Sequence, residues 1–452
     1  MVTINQALQR IKGNLEEFVP QRLVQRLADE TDLGQRRRTL TPVVTAFLFL
    51  KQILNGNTAC SHLPHLAGLE FSASAYCQAR SRLPFGFFHR LQNAVTQECF
   101  DADPLRADEL WRGHEVYIVD GSGFSMPDTP ELQDAFGQPG SQAPGCGFPS
   151  AHLLVSCQLA AGYIRKVLAA PLRTHDMSQV ALMHPDLPPN AVLVGDRAFC
   201  SFVHLALCRQ GRRHGLFRAH QKLIIDFRCR RRYAPPSMSA QAARGLPRSR
   251  WLRRLGKNDQ LVEYFKPKER PVWMTPEQFA ALPQTLVVRE LRYRIAVPGR
   301  RTQVVTLVTT LLDPHRYSPR ALAKLYGLRW TIETNLAHLK TTLGLDVLHC
   351  KTFVGVMKEL MMFVTAYNLV RRVMRQAGEQ QGVSAERISF IDALRWLTAA
   401  HPGDALPPLR VIPERPGRVE PRVKKRRPKE YDLMNRPRAV LRQALYVQED
   451  EA

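Results

Sequence analysis

Over roughly the first hundred residues, apolar positions recur every three or four places and strict alternation is scarce, which predicts helices. The most apolar run there, VVTAFLFLKQIL, is preceded by Thr41 and Pro42, residue types suited to an N-cap and a first helical turn, so it reads as a core helix. It ends in charge well short of the roughly 20 residues that a membrane-spanning helix needs. Further on, ASAYCQARSRLPFGFFHRL reads as a helix, a break at Pro84 and a second helix. Such a pair is either a small DNA-binding unit or plain packing. The period changes at Glu115. VYIVD and AVLVGD are short β-branched runs that each finish on an aspartate, and HLLVSCQLAAGYIRKVLAAPL reads as a hairpin around Ala161-Gly162. DMSQVALM and FCSFVHLALCRQ predict helices. Residues 221–300 are Pro- and Arg-rich and then alternate as TLVVRELRYRIAV, which predicts a β-rich insertion; TQVVTLVTTLL returns to a buried strand. Helices follow to about residue 400, and from His401 the chain reads as an extended basic arm. Alternating strands and helices behind a helical N-terminal segment make the fold class α/β.

Composition sharpens this picture. The chain has 452 residues, enough for two to four domains, and 44% hydrophobic residues, which excludes a disordered chain. Its net charge of +24 favours a polyanionic partner. That charge is localised: Arg209–Lys257 holds +14 and Val411–Arg442 holds +7, as expected of two surfaces that contact phosphates. Nine cysteines without a CxxC pair read as reduced, mostly buried thiols of a cytoplasmic protein. Cys60, His62 and His65 lack a recognised zinc spacing and read as structural. No signal peptide is visible, and no membrane partner is expected.

Candidate chemistry concentrates in YGLRWTIETNLAHLKTTLGLD. Ser318 and Pro319 start a helix that Gly344 stops. At about 100° per residue, Tyr326, Arg329, Glu333 and Lys340 share one arc of about 60° along roughly 21 Å of axis. His338 points about 140° away from Glu333 and is left off the site. Asp120 and Asp196 close the two apolar strands, although an aspartate there can equally just initiate a turn. If the two strands are neighbours and the helix packs across them, three carboxylates converge. Such an all-oxygen site suits Mg²⁺, and a pair of ions can serve phosphoryl transfer. Arg329 and Lys340 then hold a nearby phosphate, and Tyr326 adds a hydroxyl contact or stacks on a sugar or base.

The stretch YGLRWTIETNLAHLK resembles the Tyr-x2-Arg-x3-Glu-x6-Lys signature of bacterial insertion-sequence transposases of the DDE class, the insertion sequence four family in particular. DGS after VYIV is similar to that family's first acidic motif, and DRAF after VLVG to its second, with Ala198 where glycine is usual. The resemblance covers roughly residues 40 to 435. It implies a ribonuclease-H-like mixed sheet flanked by helices. The helical N-terminal domain would take residues 1–108, the core 109–220 and 301–400, the insertion 221–300 and the basic arm 401–452. It further implies catalytic, metal-binding Asp120, Asp196 and Glu333, with two Mg²⁺ ions and Mn²⁺ as substitute. Double-stranded DNA, as transposon ends and target, is the implied partner of a homodimer assembled on DNA. Cleavage at terminal inverted repeats followed by strand transfer is the implied reaction. Arg197 and Trp330 match common family positions and are supporting candidates; burial in the core is the plainer expectation for Trp330. Trp251 and Trp273 are weaker candidates for handling a flipped base. The competing expectations are a catalytically silent DNA-binding derivative and a general nuclease of the same fold.

Overall fold

In the computed structural model, the residues described are 8–414, apart from 10, 32–38, 173, 175 and 296–302, together with 434–450. The β-branched runs form the middle of a nine-stranded sheet. Its strands are β1 (Val116–Ser125), β2 (Ser150–Gln158), β3 (Ile164–Pro171), β4 (Val192–Gly195), β5 (His214–Arg218), β6 (Arg250–Gly256), β7 (Asp259–Phe265), β8 (Thr285–Ile295) and β9 (Gln303–Thr309). They lie in the order β3-β2-β1-β4-β5-β9-β8-β7-β6. β1 runs parallel to β4, and β4 to β5; the other neighbours are antiparallel. The sheet is therefore mixed. The strands of the β-rich stretch join it through β9 instead of forming a sheet of their own.

Both faces of the central strands are buried, each in its own core. Val116 and Ile118 face one core; Tyr117 and Val119 face the other. Helices cover both faces and are named here as α1 (Pro42–Leu54), α2 (Ala73–Arg82), α3 (Phe85–Ala102), α4 (Phe202–Gln210), α5 (Pro319–Gly327), α6 (Thr331–Ala337) and α7 (Phe353–Gln380). Of these, α4 packs in the second core and the others in the first. The Thr41 hydroxyl caps α1 by accepting from the Val44 N–H at 3.2 Å. α2 and α3 break at Pro84 as expected, and Tyr76, Ala79, Phe87 and Phe88 pack their inner faces into the core.

α7 is long and apolar enough to cross a membrane, but it runs mostly buried through the protein. Several of its buried polar side chains have specific partners. The Asn368 amide donates to the Ile164 carbonyl and accepts from the Ile164 N–H. Arg371, fully buried, donates to the Ala161 carbonyl and pairs with Glu386 at 2.5 Å. The Glu359 carboxylate accepts from the His349 and Cys350 N–H groups and from Asn57. One helix thus ties the N-terminal helices to the hairpin between β2 and β3, where Gly162 sits at φ +74°.

Two expectations need correction. The single helix through Tyr326 is a continuous winding of three kinds: α5, a 3-10 turn at Leu328–Trp330, α6, and a π turn at His338–Thr342. Uniform 100° steps therefore fail beyond Gly327, although the stop at Gly344, φ +95°, holds. In the C-terminal arm, Arg438–Asp450 is helical, not extended. Its most basic stretch, around VKKRRPKE, lies outside the described residues.

Gly162→Ala tests the α7 clamp. A left-handed non-glycine residue costs roughly 1–2 kcal/mol, and the new Cβ would also collide with the Arg371 guanidinium. Gly245→Ala, also at positive φ but with nothing near a Cβ, isolates the backbone share. The denaturation midpoint should fall further for Gly162→Ala than for Gly245→Ala.

Candidate active site

The parallel ladder between β1 and β4 ends at the pair Val119 and Gly195. Extended by one residue, that register sets Asp120 beside Asp196. Alternation also fixes the side: Ile118 and Val194 face the helical core, so the residues two places on face the same way. Asp120 does not close its strand, as the sequence suggested. β1 continues to Ser125, because β2 pairs with it all the way from Tyr117 to Ser125. What ends at Asp120 is the partnership with β4, and the carboxylate stands in the opening this leaves.

Asp196 also serves as a turn-former. Its Oδ1 accepts from the Ala198 N–H at 2.7 Å and caps the turn Arg197–Phe199. The contact is made by backbone at Ala198, which does not adopt a positive φ, so alanine serves here. Gly195 is needed for close approach: a Cβ there would lie 2.8 Å from the Phe199 ring.

α6 packs over β1, with Ile332 and Leu336 in the core. The 3-10 turn before it aims Arg329 between two acids. Its Nη1 is 3.3 Å from Asp120 Oδ2 and its Nη2 is 3.6 Å from Glu333 Oε1. The arginine side chain is 11% exposed, Asp120 20% and Glu333 50%, so the site opens to solvent on the glutamate side. Burial pushes the Asp120 carboxyl up to about 6. Arg329 and the Gly121 N–H, 2.9 Å from Oδ1, oppose the rise, and the charges of Asp196 and Glu333 add to it. The three carboxylates thus lie in one electrostatic field, with a guanidinium as the cation among them. They are not a tight triplet. Among the described residues, one set of three His, Cys, Asp or Glu ligand atoms falls within 4.8 Å of one another, and it lies elsewhere, at His184, His204 and Cys208.

The remaining candidates are scattered by comparison. Tyr326 is buried; burial raises its hydroxyl, with Arg329 and Arg218 opposing and the Asp196 charge adding to the shift. Arg218 thus belongs to the neighbourhood, and sequence reasoning missed it. The signal was available: it ends HGLFR, the strand beside β4, and so reaches the same sheet edge as the two aspartates. Lys340, in the π turn, pairs with Asp346 at 2.9 Å, and the Asp346 carbonyl accepts from the Ser125 N–H at the far end of β1. Arg197 is exposed and donates to Gln221 at 3.3 Å. Trp330 is 49% exposed, which corrects the expected core burial; the Arg329 guanidinium lies 4.9 Å from its ring centroid. His338 stacks on Phe390 at 4.3 Å, away from the acids. Trp273 packs against the second core, and Trp251 lies in β6.

A family model described as a transposase DDE domain matches residues 111–369, from just before β1 to the middle of α7. That is more than half of the chain. The chain belongs to the transposase DDE domain family. It is 24% identical over 378 residues to the transposase InsG for insertion sequence element IS4 of Escherichia coli strain K12, covering 79% of this chain and 77% of that protein. A putative transposase InsZ of the same strain is 27% identical over 164 residues, 35% of this chain and 54% of that one. Among solved structures, a piggyBac transposase synaptic complex with hairpin DNA aligns with a TM-score of 0.43 at 9% identity, covering 88% of this chain and 80% of that one. This chain is accordingly a DDE transposase, an enzyme of phosphoryl transfer on DNA.

The Asp120 titration is checkable in the metal-free transposase. A carboxyl whose pKa is higher folded than unfolded binds more protons in the native state between about 4 and 6, so it costs stability as pH rises through that window. Asp120→Asn removes the cost. In EDTA, the stability advantage of Asp120→Asn over the native chain should grow from pH 4 to pH 7 and then level off; a constant difference contradicts the assignment.

Proposed function

We propose that this transposase cuts DNA at the terminal inverted repeats of an insertion sequence and transfers the freed strands into target DNA, using divalent ions held by Asp120, Asp196 and Glu333. The observation that carries this reading is the shared field of the three carboxylates around a displaceable guanidinium. The donor set fits a hard cation: it is all carboxylate oxygen, one member is half exposed, and Arg329 is the cation that touches both Asp120 and Glu333. Bound there, Mg²⁺, as one ion or a pair and with Mn²⁺ as substitute, would supply Lewis-acid stabilisation of phosphoryl oxygens and a more acidic attacking water.

The protein's own groups do the rest. Asp196 is fixed by the turn it caps, and Asp120 by the strand pairing, so neither has to be ordered when DNA arrives. Arg329 leaves the acids and clamps a phosphate through its two-pronged fork. Tyr326 and Arg218 form the floor beside Asp196, and Lys340 lies farther along the same winding for a second phosphate contact. Arg197 and Trp330 are surface groups at the rim. After water has cut the strand, the 3′-hydroxyl takes the water's place as nucleophile. The sheet order, with three antiparallel strands followed by two in parallel, supports a ribonuclease-H-like core that the strands β6 to β8 extend. Two copies on paired DNA ends and a cytoplasmic location complete the reading.

Glu333→Gln should bind the element's ends with native affinity while cleavage in Mg²⁺ falls roughly 100-fold or more, since even outer-shell partners of a metal ligand cost 10–100-fold. Cutting at the native rate by that variant, scored on labelled end DNA, overturns the assignment. Arg329→Ala separates the two roles of the arginine. Without DNA it should bind Mn²⁺ more tightly in calorimetric titration, because the competing cation is gone. Its affinity for end DNA should drop. Unchanged Mn²⁺ affinity would refute the displacement.

A further inference from the structure

On the face of the sheet opposite the helical core, beneath the Asp196 turn, three metal-ligating side chains meet. His204 and Cys208 are one turn apart on α4, and His184 reaches them from the turn Ala181–Asp186. Their ligand atoms all lie within 4.8 Å of one another, and all three residues are buried. His184 Nε2 and His204 Nε2 are 2.9 Å apart. His204 Nδ1 lies 2.8 Å from the Phe199 carbonyl, which can only accept, so the Nδ1 carries the proton. Burial keeps both rings neutral well below their ordinary value, so His204 Nε2 is a lone pair aimed at its neighbour. A histidine whose far nitrogen is tied to a carbonyl while the near one is bare is the arrangement that outer-shell bonding gives to metal-bound imidazoles.

We propose that His184, His204 and Cys208 form a structural Zn²⁺ site, separate from the catalytic acids, that locks the turn carrying Asp196. Two imidazoles and one sulfur are borderline-to-soft donors, which select zinc over magnesium. Zinc bonds of about 2.0–2.1 Å to nitrogen and 2.3 Å to sulfur set ligand atoms roughly 3.3–3.6 Å apart, so small side-chain rotations close the set. Binding releases one proton, from the Cys208 thiol, which burial otherwise keeps protonated. The His184 proton moves from Nε2 to Nδ1 within the same ring, with no net change. The thiolate offsets the nearby charge of Arg213, whose guanidinium donates to the Leu187 carbonyl. No fourth His, Cys, Asp or Glu joins the group among the described residues, so one enclosed water would complete the tetrahedron. The link to function is the Phe199 carbonyl: it belongs to the turn Arg197–Phe199 that Asp196 caps.

The full-length chain, stripped with chelator and reloaded with excess Zn²⁺, should retain one zinc per chain by elemental analysis after desalting. Co²⁺ loading should give a sulfur-to-cobalt charge-transfer band in the near ultraviolet. Cys208→Ala should lose that band and bind zinc at least about 10-fold more weakly, and His184→Gln gives an independent readout should Cys208→Ala fold poorly. The double variant Cys60→Ser/Cys77→Ser controls for a close thiol pair elsewhere in the chain, 3.8 Å apart, and should keep both zinc and band. A native chain that retains no zinc overturns the proposal, as does zinc that survives both site variants or vanishes with the control. None of these outcomes depends on DNA cleavage, so the site stands or falls apart from the catalytic reading.

Discussion

The pairing of β1 with β4 is the constraint from which the site follows. A strand can slide along its partner, but a slip of one residue exchanges its faces. Here both faces are apolar and each belongs to a separate core, so exchange would not by itself expose much hydrocarbon. What it would do is send Asp120 into the second core, away from Arg329 and beneath solvent's reach. An unpaired carboxylate in an apolar interior costs several kcal/mol. The acid therefore helps to choose the register that makes it useful. Gly195 adds a steric argument, since the Phe199 ring already occupies the space a side chain would need.

Arg329 then decides the electrostatic state of the protein away from DNA. Three carboxylates near one another repel, and the fold offsets that repulsion with a guanidinium that touches two of them. The arrangement is unequal. Asp120 is the more buried partner and holds the arginine at 3.3 Å, while Glu333 is half exposed at 3.6 Å and keeps much of its hydration. In the proposed metal-loaded state Glu333 would be the acid freer to turn toward a cation, since Asp120 is held more tightly by burial and by Arg329. A phosphate backbone offers the arginine a partner of equal charge and matching fork geometry. Under the proposed function, such an exchange of partners would load the site with no change in the number of ion pairs.

Legibility in the sequence followed the range of the interaction involved. α1 with its Thr41 cap, the hairpin at Gly162 and the stop at Gly344 depend on neighbours a few residues away, and all are read correctly from local pattern. The two acidic strands were recognisable from their apolar runs. Their length was not: GSGFS looks like a turn, and it is strand because β2 continues opposite it. The winding at Arg329 and Trp330 departs from a regular helix through packing on β1, which a helical wheel cannot register, and Trp330 turns outward as a result. Lys340 meets Asp346, six residues on, only because the chain after the π turn adds itself to the end of β1. Alternation in TLVVRELRYRIAV announced a strand, yet nothing in it named the partner, so the union of β8 with the core sheet was out of reach.

The same sheet extension gives the basic charge its address. β6 is the last strand of nine, and an unpaired edge invites association with another chain unless charge guards it. Arg250, Arg253 and Arg254 stand exposed along it, and Arg250 is partly neutralised by Glu263 at 2.7 Å. Arg289, by contrast, is fully buried in a two-pronged pair with Asp259 and contributes nothing to the outer field. The β-rich stretch thus divides its arginines by burial: the paired Arg289 braces the strands from within, and the exposed ones keep the edge soluble while presenting positive charge outward. A protein that must remain dispersed when free and yet grip a polyanion when one arrives can meet both demands with those same few side chains, because repulsion between copies and attraction to phosphate are one field seen by two partners.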